Sequence, residues 1–368
     1  MSRNILAVRF SAFAIFILFA SPVFNFSVYK IGSSDIRLGY VLFLLGFLFI
    51  RTPKTISSYY LLFILLINAY IAMKSSSLFL FAWPIMMIGS YYIGKEISKV
   101  YSLYKEEVNY LVKKLSISLI LVFIIFNFYE VILVANGTNP KTAIYYYLGY
   151  YSHFNIAATS AFLLAILFIE DKKMFFTLVF FGLSITLINS SRTGFLAFLA
   201  CIYYYNVVNN IFKAKMSYLL MLGGVFFLLL FLVKIFFPEM FLRLFDFEQE
   251  IEYFHTGQGR LALWKAAFET FQQNYWGYGI GNSKEAMLNS ASFDLWYRED
   301  AVHNIYIQTL IDNGFVSFLL LIFVFFKFFK NRYVSNVHYF CFLFLFLSLF
   351  QNSGYEHIIW FFIGFSEE

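Results

Sequence analysis

Long apolar stretches recur along the whole chain and constrain its fold more than any other feature. Each stretch holds roughly 17–25 mostly apolar residues, the length at which an α-helix crosses the hydrocarbon core of a bilayer. The chain of 368 residues is 61% hydrophobic and only 13% charged, and a soluble globular protein carries about twice that charged fraction. We therefore predict an all-α polytopic membrane protein that forms one integral-membrane domain over residues 1–368.

The pattern predicts about twelve transmembrane helices. The predicted spans lie near residues 5–24, 36–50, 57–73, 77–94, 115–135, 152–169, 174–190, 193–211, 217–237, 303–326, 337–350 and 354–366. The first apolar run lacks an A-x-A cleavage signal, so we expect it to remain as the first span. Cys201 and Cys341 fall inside predicted spans, where they are expected to be small buried hydrophobic residues.

Basic residues orient the predicted spans. With the N-terminus inside the cell, 16 of the 27 Lys and Arg residues lie in cytoplasmic segments and five lie in short outer loops, in agreement with the positive-inside rule. Residues 238–302 then form one large periplasmic loop, in which we expect short helices. Ten acidic and five basic residues give this loop a net charge of −5, which makes it a poor surface for nucleic acid.

Two arginines at the predicted outer boundary are candidates for binding an anion. Arg192 follows polar residues at the start of a span, where a helix N-terminus and a guanidinium would meet a phosphate together. Arg260 opens a segment whose helical spacing places it on one stripe with Trp264, Ala267, Phe268 and Phe271, a stripe expected to face the membrane or the core. The alternative is that each arginine only extends its charged end to the interface.

His303 opens the last long apolar segment. Asp300 lies three residues earlier, so on a helical turn its carboxylate would share a face with the imidazole and could raise its basicity. A histidine near neutral pH suits the role of general base toward a sugar hydroxyl. The alternative is an interface histidine that only caps the span or forms a hydrogen bond with a loop. Asn304 and Gln308 add polarity to the entering turns and favour a lined cavity over a surface that faces lipid.

The remaining polar candidates are weaker. His153 and Asn155 begin a predicted span after a run of tyrosines, which are typical of a membrane interface but could also stack on sugar rings. The sequence contains no P-loop, no HExxH, no CxxC pair and no Asp-x-Asp pair. We therefore expect no cofactor and no metal, and a donor that brings its own leaving group.

Three segments in order carry a resemblance to a known family. SRTGFLAFL begins at Ser191, GRLALWKAAFETF at Gly259 is followed by GYGIGN, and HNIYIQTLIDNGFVSFLL begins at His303. Together they resemble the bacterial O-antigen polymerase (Wzy-type) and O-antigen ligase superfamily over about residues 190–325. In place of the His-Pro or similar pair that the family often has before its Gly-rich run, this chain has Asn274, Tyr275 and Trp276.

The resemblance implies a GT-C-like membrane fold and transfer of a glycan from undecaprenyl pyrophosphate without a metal. It implies that Arg192 and Arg260 contact the pyrophosphate, and that His303 activates the acceptor or stabilises the leaving group. Asp300 is a further catalytic candidate. Asn304 and Tyr306 of the HN-x-Y motif, with His153 and Asn155, are candidates for substrate binding. The active site would face the periplasm from the bacterial inner membrane.

Three functions remain open at this stage. A polymerase would transfer the growing glycan to a new lipid-linked repeat unit, and a ligase would transfer it to lipid A–core. We favour the polymerase because the chain's richness in Phe, Tyr, Ile and Asn suggests an AT-rich polysaccharide gene cluster. A lipid-linked oligosaccharide flippase is the third function, although transporters tend to show inverted repeats. Membrane lipid and the lipid-linked oligosaccharide are expected partners, and a polymerase is expected to work with a chain-length regulator.

Overall fold

The structure is a computed structural model. It describes residues 2–20, 27–31, 34–37, 44–50, 54–75, 82–115, 259–290, 304–330 and 357–367, with residue 302 and a few isolated positions. The helices are α1 (Ser2–Ala20), α2 (Ile56–Ser75), α3 (Ala82–Leu103), α4 (Gly259–Gln273), α5 (Ser283–Ser290), α6 (Ile305–Lys330) and α7 (His357–Ser366), and residues 105–115 are also helical.

Five predicted spans coincide with helices, namely those at α1, α2, α3, α6 and α7. Two helices are long and apolar enough to cross a membrane within the described residues, at Ile56–Met73 and Ile305–Phe328. These elements are compatible with an α-helical membrane protein. The predicted spans at 152–169, 174–190, 193–211, 217–237 and 337–350, and nearly all of 115–135, lie outside the described residues.

One predicted span is wrong as an unbroken helix. Residues 36–50 begin in a strand, because β1 (Ser27–Ile31) pairs antiparallel with β2 (Ser34–Arg37), and they end in a short 3-10 helix, Leu45–Phe49. Gly32 and Ser33 separate the two strands in sequence, a composition typical of two-residue hairpin turns. This hairpin was not predicted, because the number of apolar residues in a short segment does not distinguish a strand from a helix.

The chain divides into two compact units. The first comprises Met1–Val41, Val100–Phe245 and Val334–Leu343, and the second comprises Leu42–Lys99, Asp246–Tyr333 and Phe344–Glu368. Within the described residues, the first unit contains α1 and the hairpin. The second contains α2, most of α3 and helices α4 to α7, and all contacts discussed below lie within it.

In the second unit, α3 and α7 pack so closely that glycine is required at the crossing. A Cβ on Gly94 would overlap the carbonyl of Phe361, and a Cβ on Gly364 would overlap the carbonyl of Tyr91. Small residues at such crossings let helix backbones approach within a membrane. Trp360 of α7 also stacks on Tyr60 of α2 with ring centroids 5.3 Å apart, so that α7 is packed against both helices.

Helix α6 is not straight. Gly314 has φ 80° and ψ 178°, a backbone conformation that is essentially restricted to glycine. The rings of Tyr306 and Phe325 lie 6.3 Å apart, whereas a straight helix would separate these residues by about 28 Å. The short arm (residues 305–313) and the long arm (residues 315–330) therefore fold toward each other as a V, and the predicted single span 303–326 bends at Gly314.

Candidate functional site

Helix α4 packs through its smallest residues. Ala262, Ala266, Ala267 and Thr270 are fully buried, as is Leu263. They form one face because they recur at the three- and four-residue spacing of an α-helix. The stripe expected to face the membrane or the core is divided, since Ala267 is fully buried, Trp264 and Phe271 are partly buried and Phe268 is 48% exposed. The buried side of α4 is therefore formed mainly by its small residues.

The buried face of α4 closes a small core with α5 and the short arm of α6. Ala266 and Ala267 pack there with Met287, Val302 and Ile311. Trp264 lies at the edge of this core, and its indole Nε1 donates a hydrogen bond of 3.0 Å to the carbonyl of Val302. Arg260 lies one helical turn before Trp264 on the same helix.

The backbone on both sides of position 303 is fixed. Val302 donates its N–H to Oε1 of Gln308 at 2.9 Å while its carbonyl accepts from Trp264. Asn304 is the N-cap of α6, because its Oδ1 accepts the N–H groups of Tyr306 at 2.9 Å and Ile307 at 3.1 Å. Such a cap satisfies amides that the first helical turn would otherwise leave without partners.

Gln308 connects three segments through one side chain. Besides accepting from Val302, it donates from Nε2 to Ser283 Oγ of α5 at 2.7 Å and to Asp312 Oδ2 at 2.9 Å. Gln308, Ser283 and Asp312 are all buried. A buried amide whose oxygen and both N–H groups are engaged fixes the geometry around it, because a displacement would leave a polar group without a partner.

A glycine-rich turn, residues 274–282 and here called the glycine loop, returns the chain from α4 to α5. Gly277, Gly279 and Gly281 all have positive φ, which glycine adopts without steric cost. Clustered glycines mark a turn, and α4 ends at Gln273, just before this run. Asn274 supports the turn by donating to the carbonyl of Gly277 at 2.8 Å.

The glycine loop contacts the bend of α6 through the backbone. The amides of Tyr278 and Gly279 donate to the carbonyls of Ile311 at 2.9 Å and Asp312 at 2.7 Å, and the amide of Phe315 donates to the carbonyl of Tyr275 at 3.0 Å. The bend frees these α6 groups from the helical pattern. Non-helical backbone at membrane depth is tolerated only where protein or water satisfies it, and here the loop provides that satisfaction.

Asn68 of α2 joins the same contact. Its Oδ1 accepts the N–H of Ile280 at 2.8 Å, and its Nδ2 donates to Asn313 Oδ1 at 2.8 Å and to the carbonyl of Ile64 at 2.9 Å. Asn68 is fully buried. A buried asparagine within an apolar helix is costly unless paired, and here it connects a candidate span to both the loop and the bend.

The structure brings some of the predicted site residues into one assembly, which we call the loop module (residues 259–290, 302 and 304–315). It contains the backbone of Arg260, whose side chain is not described, and Asn304 and Tyr306. Tyr306 is partly buried and makes an edge contact with Phe325. Arg192, His303, Asp300, His153 and Asn155 lie outside the described residues.

Sequence reasoning missed several residues that organise the module. Asn68 was not singled out, although an asparagine inside an apolar span is itself a signal. Asp312, Asn313 and Gly314 were treated as part of a continuous span, although Asn-Gly is a strong turn signal.

Comparison with known proteins agrees with the resemblance found in the sequence. Residues 176–322 match the Wzy_C family model, described as O-Antigen ligase. That range includes α4, α5 and the bend of α6. No curated protein and no solved structure matches the chain. The matched segment supports the resemblance of this chain to the O-antigen ligase and polymerase superfamily.

Proposed function

We propose that the protein is a polysaccharide polymerase of the O-antigen type. It would move the growing glycan from undecaprenyl pyrophosphate to a sugar hydroxyl of a new lipid-linked repeat unit at the periplasmic face. The family contains ligase- and polymerase-like glycosyltransferases that act on lipid-linked polysaccharide. The family match does not identify the acceptor, and we propose that the acceptor is a second lipid-linked repeat unit.

The observation that supports this proposal most directly is the anchoring of Val302. Trp264 binds its carbonyl and Gln308 binds its amide, while Asn304 caps the following helix. The helical turn that begins at Arg260 is thereby joined to the segment that flanks position 303. A cation at the leaving pyrophosphate and a base at the acceptor hydroxyl both act best when the backbone that carries them is held in place, and this anchoring supports the proposed roles of Arg260 and His303.

In the proposed reaction, the bond between the anomeric carbon and the pyrophosphate oxygen breaks, and the pyrophosphate leaves with the electron pair. The acceptor hydroxyl forms the new glycosidic bond, and its proton passes to His303 or Asp300. Arg260 and Arg192 stabilise the charge that develops on the leaving group. We propose a single displacement with inversion, since no nucleophile suited to a covalent intermediate was found in the sequence.

In this proposal, Asn304 and Tyr306 also line the side of the site at which the acceptor sugar binds. Asn304 uses Oδ1 as the helix cap and is buried, so in this proposal it holds the acceptor side of the site in position. His153 and Asn155 remain proposed substrate contacts, and a chain-length regulator remains a proposed partner.

A ligase is the second candidate because the matching family model is described as O-Antigen ligase. One reconstitution separates the two. Purified protein in liposomes is given its lipid-linked repeat unit, with and without lipid A–core. A ladder of glycan lengths from the repeat unit alone supports the polymerase. Products that form only when lipid A–core is present would refute it in favour of the ligase.

Substitution on α4 tests the proposed role of Arg260 in the same assay. Arg260→Ala should lower the rate of transfer by at least 100-fold, because loss of a group that stabilises transition-state charge has about this effect. Lys265→Ala removes a cation from the exposed face of the same helix, where Lys265 approaches Glu269 at 4.0 Å, and should leave the rate unchanged. Equal rates in the two variants would refute the role of Arg260.

A further inference from the structure

The outward side of α4 is divided into two flanks of different chemistry. Leu261 and Phe268, seven residues apart, are 46% and 48% exposed. On the other flank, Lys265 and Gln272 are exposed, also seven residues apart. Residues at this spacing lie on one side of an α-helix, so an apolar flank and a polar flank run side by side above the buried alanine face.

The apolar flank continues into the glycine loop. Tyr275 and Trp276 are 60% and 75% exposed, although their backbone is firmly held. The amide of Trp276 donates to Asn274 Oδ1 at 3.1 Å, and the carbonyl of Tyr275 accepts from Phe315 at 3.0 Å. The two aromatic side chains are thus presented outward from a rigid turn.

The same contact joins this flank to the exposed face of a candidate membrane span. Phe315 is 48% exposed and begins the long arm of α6. Leu319, Ile322 and Phe326 follow it at helical spacing and are 50%, 40% and 64% exposed. The exposed apolar side of α4, the two aromatic residues of the turn and the exposed face of the long arm follow one another through this backbone contact, and we treat them as one apolar surface.

We propose that this surface is embedded in lipid, with α4 lying along the boundary of the bilayer and Tyr275 and Trp276 at the level where the long arm enters it. Tyrosine and tryptophan are enriched at that level because each combines an apolar ring with a polar group. A helix with one apolar and one charged flank binds in the plane of the interface. The segment 261–276 then belongs to the membrane boundary and not to an aqueous loop.

Nitroxide labels on the full chain test this arrangement in liposomes of phosphatidylcholine and phosphatidylglycerol. Cys201 and Cys341 are first replaced by alanine, and single cysteines are introduced by Phe268→Cys, Trp276→Cys and Leu319→Cys, with Lys265→Cys and Gln272→Cys as matched controls on α4. Collision rates with oxygen, which concentrates in lipid, are compared with those of a water-soluble nickel chelate.

We expect labels at 268 and 276 to collide several-fold more with oxygen than with the chelate, as at 319, and labels at 265 and 272 to show the reverse. Aqueous behaviour at 268 and 276 would overturn the proposal. Shielding of these labels from both reagents would also overturn it, because it would indicate that a protein partner covers the surface. If the labels also show spin–spin broadening that unlabelled protein removes, that partner is a second copy of the chain. A second readout needs no label, since brominated lipids should quench less fluorescence in Trp276→Phe than in the unmodified protein.

Discussion

Replacing Gly314 by alanine should open the contact between the glycine loop and α6. The residue has φ 80° and ψ 178°, where a side chain is strained by about 1–3 kcal/mol. An added Cβ would also lie 2.6 Å from the carbonyl carbon and oxygen of Trp276 and from the carbonyl oxygen of Tyr275. These are backbone atoms, so the loop itself must move.

The expected magnitude follows from what the movement breaks. Three backbone hydrogen bonds join the loop to the bend, from Tyr278, Gly279 and Phe315, and each contributes about 0.5–1.5 kcal/mol net. Loss of two of them together with the strain gives roughly 2–6 kcal/mol. Because 1.4 kcal/mol is a factor of about ten in an equilibrium constant, local opening should become at least about 30-fold more frequent.

Hydrogen exchange measured by mass spectrometry on peptides covering residues 275–282 reports this local opening. Gly281→Ala is the matched control, because Gly281 also has positive φ, at 92°, yet an added Cβ would meet nothing within 4 Å. The control should show only the effect of backbone strain. Exchange no faster in Gly314→Ala than in Gly281→Ala, with α4 still protected, would refute the account of the bend.

Three further substitutions test the polar contacts. Asn68→Ala removes the acceptor of the Ile280 amide and the donor to Asn313, and should cost about 2–4 kcal/mol, seen as faster exchange at residue 280; unchanged exchange would contradict the contact. Gln308→Leu leaves the Val302 amide and Ser283 without this partner, and should reduce glycan transfer more than Lys265→Ala does, which activity assays would show. Glu367→Ala removes the acceptor of the hydrogen bonds from Ser57 at 2.5 Å and Tyr91 at 2.7 Å, and should lower the melting temperature in detergent. An unchanged melting temperature would contradict a role for Glu367 in holding the end of α7.

The long helices that the structure describes could be predicted because a helix that crosses a bilayer needs a long apolar run. Runs of apolar residues long enough to cross a membrane coincide with α2 (Ile56–Ser75) and with α6 (Ile305–Lys330). The β-hairpin at Ser27–Arg37 could not be recognised by the same criterion, since its strands are only five and four residues long. Hydropathy averaged over a span does not register elements of that length.

The bend of α6 shows a second limit. The hydropathy of residues 305–328 is that of one continuous span, because Asp312, Asn313 and Gly314 are outnumbered by their apolar neighbours. Their effect depends on a partner 35 residues earlier, the glycine loop, which accepts the close approach only because Gly277 also lacks a side chain. A Cβ on Gly277 would lie 2.5 Å from the carbonyl oxygen of Asp312. The sequence shows each of these glycines, but it does not show that the two lie against each other in the fold.

Polar residues inside apolar segments are usually interpreted as functional, and this module shows how that rule must be applied. The buried amides of Asn68 and Gln308 are committed to backbone groups and neighbouring polar side chains at the bend and at Val302. Their hydrogen bonds stabilise a non-helical path that lipid alone would not tolerate. In the proposed reaction, these amides therefore hold the neighbouring backbone in position and do not react themselves. The reacting groups in this proposal are the residues whose flanks these amides hold, and His303, between Val302 and the cap residue Asn304, is the first that we propose to test.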